Sequence, residues 1–248
     1  MHRSYIEHAQ FNTDSVAITD PHEIHHFKDV VRISIGDPIT LFNGEGAEAE
    51  GRVLSVQKKR IEVKILSHKS AGTQKGLSGI ILACAVPKKT KFEWIVEKAT
   101  ELGADDIIPL NTARTEFHMT QERSERKMSR YKTIAVNAAK QCRRPTLPTI
   151  HPVSPLESVL DLIDNNTTAI IPCVFSERIA LHQALSKHKQ GEKVLILIGP
   201  EGDFTEGEVA RAVEHSAIPV SLGETVLKVE TAAISTLAFT RLYLGNET

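Results

Sequence analysis

The run Gly79–Val86, GIILACAV, carries no charged side chain in eight residues. It is far shorter than the ~20 apolar residues that a membrane span needs. A short unbroken apolar run suits a strand buried on both faces, and such a strand belongs inside a sheet covered by helices on either side. Lys193–Ile198, KVLILI, is a second strand of this kind. Helical patterns lie between and after them. Phe92, Ile95, Val96, Ala99 and Leu102 form one apolar face, with Thr90 and Glu93 at the distance of a capping box. A strand is expected at Ile107–Leu110, a long helix near Gln121–Cys142, and a helix begun by Ser154, Pro155 and Glu157. Another strand is expected near Thr168–Val174. Thr205 and Glu208 cap the helix after Ile198, and the last helix runs from about Val229 to Leu244. This alternation predicts an α/β layered domain with a largely parallel sheet.

The first 70 residues have another texture. Asp37–Phe42, Ala47–Val56 and Arg60–Leu66 contain period-2 runs, separated by the turn-like stretches Asn43–Gly46 and Gln57–Lys59. One short helix interrupts them. Asp20 caps it, Pro21 suits its first position, Glu23 stands at the capping-box distance, and Ile24, Phe27, Val30 and Val31 form its stripe. A small β-barrel-like domain follows from this pattern, and the polar stretch Ser67–Ser78 reads as a linker. The domain boundary is placed at residue 70, dividing 1–70 from 71–248.

Composition excludes little. Hydrophobic residues make up 41% and charged residues 25%, so a core can form without metal or disulfide staples. The three cysteines, Cys84, Cys142 and Cys173, are odd in number and widely spaced, which suits a reducing compartment. The start of the chain has no apolar h-region, and a cytoplasmic protein without membrane contact is expected. The net charge of -1 is uninformative, but its distribution is not. From Arg114 to Arg144 there are nine Lys or Arg (114, 123, 126, 127, 130, 132, 140, 143, 144) against three Glu (116, 122, 125), a local excess of six. Met128, Tyr131, Ala135, Ala138 and Cys142 mark the buried face of that helix, so the charges face outward and suit phosphate contact.

Two glycine-containing loops carry the strongest chemical signal. In Ile196–Phe204, ILIGPEGDF, a buried strand runs into a Gly-Pro-Glu-Gly turn and a capped helix starts at once. Ligands of α/β sheets bind at such carboxyl edges. Gly199 and Gly202 admit a close ligand, and Glu201 sets a carboxylate there. The stretch is no P-loop, because no Gly-Lys-Ser/Thr follows. In Ser221–Ala232, SLGETVLKVETA, a strand ends at Gly223, an apolar loop follows, and Glu230 stands near the start of a helix, where the helix dipole favours a carboxylate. An apolar loop of this kind can enclose a heterocycle through backbone donors and acceptors.

The stretches IGPEGDFTEGE and LGETVLKVETAA closely resemble the signature loops of the 16S rRNA uracil-N3 methyltransferases of the SPOUT superfamily. Further resemblance lies in Lys98–Gly103, Ile108-Pro109 with Arg114-Thr115, Ala139–Pro145, and the stretch from His25 through Arg32 and Gly36 to Gly44. It spans nearly the whole chain in order. The family usually has Gly-Gly-Phe where this chain has Gly202-Asp203-Phe204, and arginines where it has Thr225 and Lys228. The resemblance implies a SPOUT-type α/β methyltransferase domain with a C-terminal trefoil knot, preceded by a PUA-like β-barrel that holds RNA. It implies a homodimer acting without a metal on 16S rRNA or the 30S subunit, with S-adenosylmethionine as methyl donor. The cofactor would be bound by Pro172, by Ile198, Gly199, Pro200, Glu201 and Gly202, and by Leu222, Gly223, Val226, Leu227, Val229 and Thr231. RNA would be met by Arg3, Arg32, Arg114, Arg143 and Arg144. Arg114 is the first candidate for stabilising charge on the uracil, with Arg143 and Arg144 as alternatives; Glu201 either accepts the N3 proton or orients the cofactor.

Three other readings compete. His22-Glu23-Ile24-His25-His26 matches H-E-x-x-H, the zinc-hydrolase signature, but it starts a short helix in a β-rich domain and no third ligand follows. Gly44-Glu45-Gly46 mimics a dinucleotide fingerprint, yet it lies between strands and reads as a hairpin turn. A non-catalytic RNA-binding relative would explain the basic helix and the barrel, but it leaves the two loops without a purpose.

Overall fold

The computed structural model describes residues 2–70, 79–87, 91–115, 121–175 and 177–245. The chain forms two compact units, Met1–Lys75 with Ala139–Leu147, and Gly76–Ala138 with Pro148–Thr248.

The first unit contains β1 (His2–Tyr5), β2 (Ser15–Ile18), α1 (Pro21–His25), a π-helix (His26–Val31), β3 (Pro38–Phe42), β4 (Ala47–Val56) and β5 (Ile61–Ser70). The strands form one sheet in the order β1-β3-β4-β5-β2, with β1 parallel to β3 and the remaining pairs antiparallel. Register shifts at Glu50/Gly51 and Val53/Ser55 interrupt the β4–β5 ladder. Such irregularities bend and twist a strand, which curls a small sheet around its own core. Phe27, Ile39, Leu41, Val53, Ile61 and Val63 fill that core.

The helix after Asp20 differs from the sequence expectation in two ways. The Asp20 carboxylate does accept from the His22 and Glu23 amides, but the Glu23 carboxylate does not return to the cap. It accepts from Ser4 Oγ at 2.7 Å and Lys140 Nζ at 2.6 Å. The α-helix also ends at His25 and continues as a π-helix. The wider turn changes the angular spacing of its side chains. Ile24 and Phe27 face the core as expected, whereas Val30 is 65% exposed.

The second unit contains β6 (Ile80–Ala85), α2 (Lys91–Glu101), β7 (Asp106–Asn111), α3 (Gln121–Cys142), β8 (Thr149–Ile150), β9 (Ser154–Pro155), α4 (Leu156–Leu160), β10 (Thr167–Pro172), β11 (Ile179–Ala180), α5 (Leu181–Leu185), β12 (Lys193–Ile198), α6 (Glu206–Glu214), β13 (Ile218–Ser221) and α7 (Val229–Gly245). The last four residues of α3 belong to the first unit. The strand order is β11-β13-β10-β12-β6-β7-β8, with β9 also on β7, and every pairing is parallel. β6 alternates between two cores. Ile80, Leu82 and Cys84 pack with Phe92, Ile95, Tyr131 and Leu237, while Ile81 and Ala83 pack with Leu156, Phe204 and Val209. That double burial is why the strand is apolar throughout.

Two further expectations need adjusting. Ser154 does not cap α4; it pairs with β7 inside β9, its hydroxyl donates to Pro152 O, and Pro155 takes the cap position. Thr90 lies outside the described residues, so the capping box expected with Glu93 lies outside them too. Among the described residues no helix is long and apolar enough to cross a membrane.

Candidate active site

In a parallel sheet all strands end at one edge, and the loops leaving that edge converge. β10 lies between β12 and β13, so the segments after Pro172, Ile198 and Ser221 become neighbours although they are far apart in sequence. Together they line a cleft of about 270 Å³. Ten of the twelve residues expected at a cofactor site line it: Pro172, Ile198, Gly199, Pro200, Glu201, Leu222, Gly223, Val226, Leu227 and Val229.

The other two lie elsewhere. Gly202 sits beneath Arg114, whose Cδ would be 3.3 Å from a Cβ added there. Thr231 is exposed in the first turn of α7, and its carbonyl accepts from Ser235 Oγ at 2.6 Å. Cys173, Val174, Arg178, Asp203, Glu224, Thr225 and Ala232 also line the cleft. Asp203, Glu224 and Thr225 fall inside the two loops that the sequence singles out. Val174 and Arg178 had no local signal, because the position of β10 depends on strand order.

Local geometry explains the glycines. A Cβ on Gly199 would lie 3.0 Å from the Phe204 ring and 3.1 Å from its backbone nitrogen. Phe204 is fully buried, so making room for that Cβ would push its ring into the surrounding core. Gly223 adopts a φ of +119°, which side chains resist.

Asp203 also has a positive φ, 60°, a conformation that Asp tolerates better than most residues. Its carboxylate accepts from the Phe204 amide at 2.8 Å and from the Val174 amide at 2.7 Å. It thereby ties the loop after β10 to the turn after β12. Arg178 holds the same loop, with Nη1 donating to Cys173 O at 3.0 Å.

The cleft sets three carboxylates, Glu201, Asp203 and Glu224, against one guanidinium, Arg178. Beside it lies the buried Cys84 thiol, whose pKa is pushed up first by burial and then by the charges of Glu201 and Glu230. Glu230, at the start of α7, pairs with Lys91 at 3.0 Å. Burial pushes its pKa up, but its own backbone amide and Lys91 outweigh that and hold it below the usual range. An apolar wall with an excess of carboxylates favours a cationic ligand with an apolar or heterocyclic body.

Arg114 stands at the same sheet edge, on the loop after β7. Its Nη1 donates to the Gly202 and Phe204 carbonyls. Nε and Nη2 have no partner among the described residues.

The other expected RNA residues belong to the first unit. Arg3 has an 11% exposed side chain that pairs with Glu48, donates to Arg144 O at 3.0 Å and lies over the Phe42 ring. These contacts give it a structural role. Arg32 ends the π-helix with a positive φ and is exposed. Arg143, also exposed, takes the left-handed position that closes α3, where the Arg144 amide donates back to Ala139 O at 3.1 Å. Arg144 Nε donates to Thr146 Oγ1 at 2.9 Å. Of the basic residues on α3, Arg126, Arg130 and Lys132 are exposed, while Lys140 is engaged by Glu23. Among the described residues no group of three or more His, Cys, Asp or Glu is placed to hold a metal ion. Glu23, the acid of the H-E-x-x-H motif, is held by Ser4 and Lys140, and the His26 ring stands edge-on to Phe27.

Residues 74–241 match the RNA methyltransferase domain family, and residues 18–66 match the RNA methyltransferase PUA domain. Ribosomal RNA small subunit methyltransferase E of Bacillus subtilis is 30% identical over 233 residues, covering 91% of each chain. The protein of the same name in Rickettsia conorii is 27% identical over 241 residues, covering 97% of this chain and 95% of its own. Among solved structures, a methyltransferase of Legionella pneumophila in complex with the bound cofactor SAM superposes with a TM-score of 0.84 at 29% identity, covering 97% of this chain and 96% of its own.

Proposed function

The chain belongs to the RNA methyltransferase family, and from that membership we propose that it methylates N3 of a uridine in the 16S rRNA of the small ribosomal subunit, with S-adenosylmethionine as donor. The observation that carries the reading is the cleft in which the Gly199–Phe204 turn, the Leu222–Val229 loop and the end of β10 meet, with Arg114 fastened to its rim. The cleft suits S-adenosylmethionine chemically. Its apolar wall matches an adenine, and its carboxylate excess matches a ligand bearing a sulfonium and an ammonium.

Bound S-adenosylmethionine supplies an already activated methyl group. The protein's task is to align the acceptor nitrogen and to stabilise charge that builds on the uracil oxygens as the N3 proton leaves. Arg114 has Nε and Nη2 available for that charge. Glu201, exposed in the cleft, is the candidate proton acceptor, with orientation of the cofactor as its other role. Exposed Arg32 and Arg143, with the outward charges of α3, supply phosphate contacts. The homodimer and the C-terminal knot belong to the same proposal. Exposed Trp94, Phe239 and Leu242 support the dimer, the last at 68% exposure.

Calorimetric titration with S-adenosylmethionine, followed by mass spectrometry of nucleosides from rRNA incubated with the protein, tests the reading. Saturable binding and new N3-methyluridine are expected. Arg114→Ala should lower turnover far more than cofactor affinity. Absence of N3-methyluridine from both free 16S rRNA and 30S subunits, despite cofactor binding, would refute the proposed target.

A further inference from the structure

A capping box ordinarily asks its acidic residue for one bond, from the carboxylate to the N-cap amide at the solvent edge of a helix. Glu208 does more. Its Oε2 accepts from the Thr205 amide at 2.8 Å and from Thr205 Oγ1 at 2.9 Å. Its Oε1 accepts from the Ala113 amide at 2.8 Å, 95 residues away in sequence. The residue is only 2% exposed. A buried carboxylate is costly unless hydrogen bonds compensate it, and a cap alone does not require the burial.

Ala113 immediately precedes Arg114, and the two form the corners of a tight turn. Thr115 N donates to Thr112 O at 3.0 Å, Thr112 N donates to Thr115 Oγ1 at 3.1 Å, and the two threonine hydroxyls are 2.7 Å apart. The turn is stiff within itself. Two contacts fasten it to the rest of the site: Ala113 to the Glu208 carboxylate, and Arg114 Nη1 to the Gly202 and Phe204 carbonyls. Glu208 therefore lies at the base of both loops, capping the helix that follows the Gly199–Phe204 turn and gripping the turn that carries Arg114.

We infer that Glu208 is a positioning residue for the methyl transfer: its buried carboxylate fixes the Thr112–Thr115 turn so that Arg114 is held in place before substrate arrives. The inference rests on the reading of Arg114 given above. Pre-fixed donors stabilise developing charge without reorganisation, and a misplacement on the order of 1 Å can cost about a hundredfold in rate. A carboxylate is needed because it accepts on both oxygens, whereas Gln has one acceptor and leaves one of the two amides facing an N–H.

The test removes the grip and leaves the cap. Ala113 occupies the second position of the turn, where proline is favoured, so Ala113→Pro deletes the donated N–H and leaves the Thr205–Glu208 cap in place. Glu208→Gln is the second variant. Turnover on rRNA is measured for each, alone and combined with Arg114→Ala, alongside cofactor affinity. Each variant should lower kcat about tenfold or more, leave cofactor affinity within about twofold, and have no further effect once Arg114 is absent. An equal fall with and without Arg114, or no fall, overturns the inference. Amide hydrogen exchange gives a readout independent of activity. Exchange at 111–115 should quicken in Glu208→Gln while β6 stays protected, and unchanged exchange there also overturns the inference. If Arg114→Ala alone leaves turnover intact, the reading of Arg114 fails, and exchange alone decides whether Glu208 holds the turn.

Discussion

Replacement of Asp203 by glycine should loosen the cleft without unfolding the protein. The substitution has opposing effects. It removes two bonds from backbone amides to a carboxylate, those of Val174 and Phe204. It also relieves a left-handed residue with φ of 60°. Charge-assisted bonds of this kind contribute roughly 1.5–3 kcal/mol when shielded from water. Val174 is 41% exposed, so water can replace much of the lost bond, and about 1 kcal/mol is the reasonable figure for the tie. The left-handed conformation costs an ordinary side chain about 1–2 kcal/mol, which glycine does not incur. With about 1 kcal/mol more for the bond from the Phe204 amide, global stability should change little in Asp203→Gly, whereas Asp203→Ala, losing both bonds and keeping the strain, should be about 2 kcal/mol less stable.

The cleft has no such compensation. With the tie cut, the loop after β10 must be ordered by the ligand itself, and about 1 kcal/mol of ordering corresponds to a roughly fivefold weaker Kd for S-adenosylmethionine. Calorimetry of the wild type, Asp203→Gly and Asp203→Asn separates the tie from simple attraction between Asp203 and a cationic ligand. Attraction is screened by salt, and the tie is not. The expected result is a weakening in Asp203→Gly that persists at 0.5 M salt (about a 4–5 Å screening length), with Asn intermediate because one oxygen remains. A Kd for Asp203→Gly within about twofold of wild type would refute the argument. Equal weakening in Gly and Asn that vanishes in salt would assign the effect to charge instead.

Gly199→Ala forces a Cβ to within 3.0 Å of the Phe204 ring and 3.1 Å of its backbone nitrogen. It should cost about 1–3 kcal/mol, seen as a melting temperature lower by several degrees, together with weaker cofactor binding. Lys140→Ala leaves the Glu23 carboxylate, 14% exposed, with Ser4 in place of a full ion pair. Urea unfolding should show a loss of about 1–3 kcal/mol, and Lys140→Met should recover part of it, because the Lys140 side chain reaches over the Phe27 ring, with Nζ 6.0 Å from its centroid. Glu230 has a lowered pKa, so its contribution to stability is present above the ordinary value of 4.5 and is lost as the pH falls through its folded value. Glu230→Gln should therefore flatten the fall in melting temperature between about pH 5 and pH 3, and an unchanged slope would show that Glu230 is not the titrating group.

Much of the fold was legible because its signals are local. The apolar runs within Gly79–Val86 and Lys193–Ile198 matched β6 and β12, and the period-2 runs matched β3 to β5 closely. Thr205 and Glu208 formed the expected capping box. The short strands β1, β2, β8, β9 and β11 left no such trace. Two to four residues cannot establish a period, and these strands exist because a partner elsewhere accepts their hydrogen bonds. The π-helix was equally hidden, since the apolar stripe through Ile24 and Phe27 reads as ordinary helix until the extra residue per turn leaves Val30 exposed.

The candidate site divides along the same line. Its two glycine loops announced themselves, because each needs glycine for a local reason: Gly199 packs against Phe204, and Gly223 takes a positive φ. What joins the loops into one cleft is the placement of β10 between β12 and β13, a non-local fact that no window of sequence contains. Val174 and Arg178 enter the cleft through it. Glu208 shows most clearly where a local reading stops. The Thr-x-x-Glu spacing explains one of its oxygens completely, so nothing in the sequence prompts a search for a second partner. Only the burial of the carboxylate raises the question, and the Ala113 amide answers it. A motif that explains a residue's presence need not exhaust its bonds, and the bonds left over are where one loop of this site constrains another.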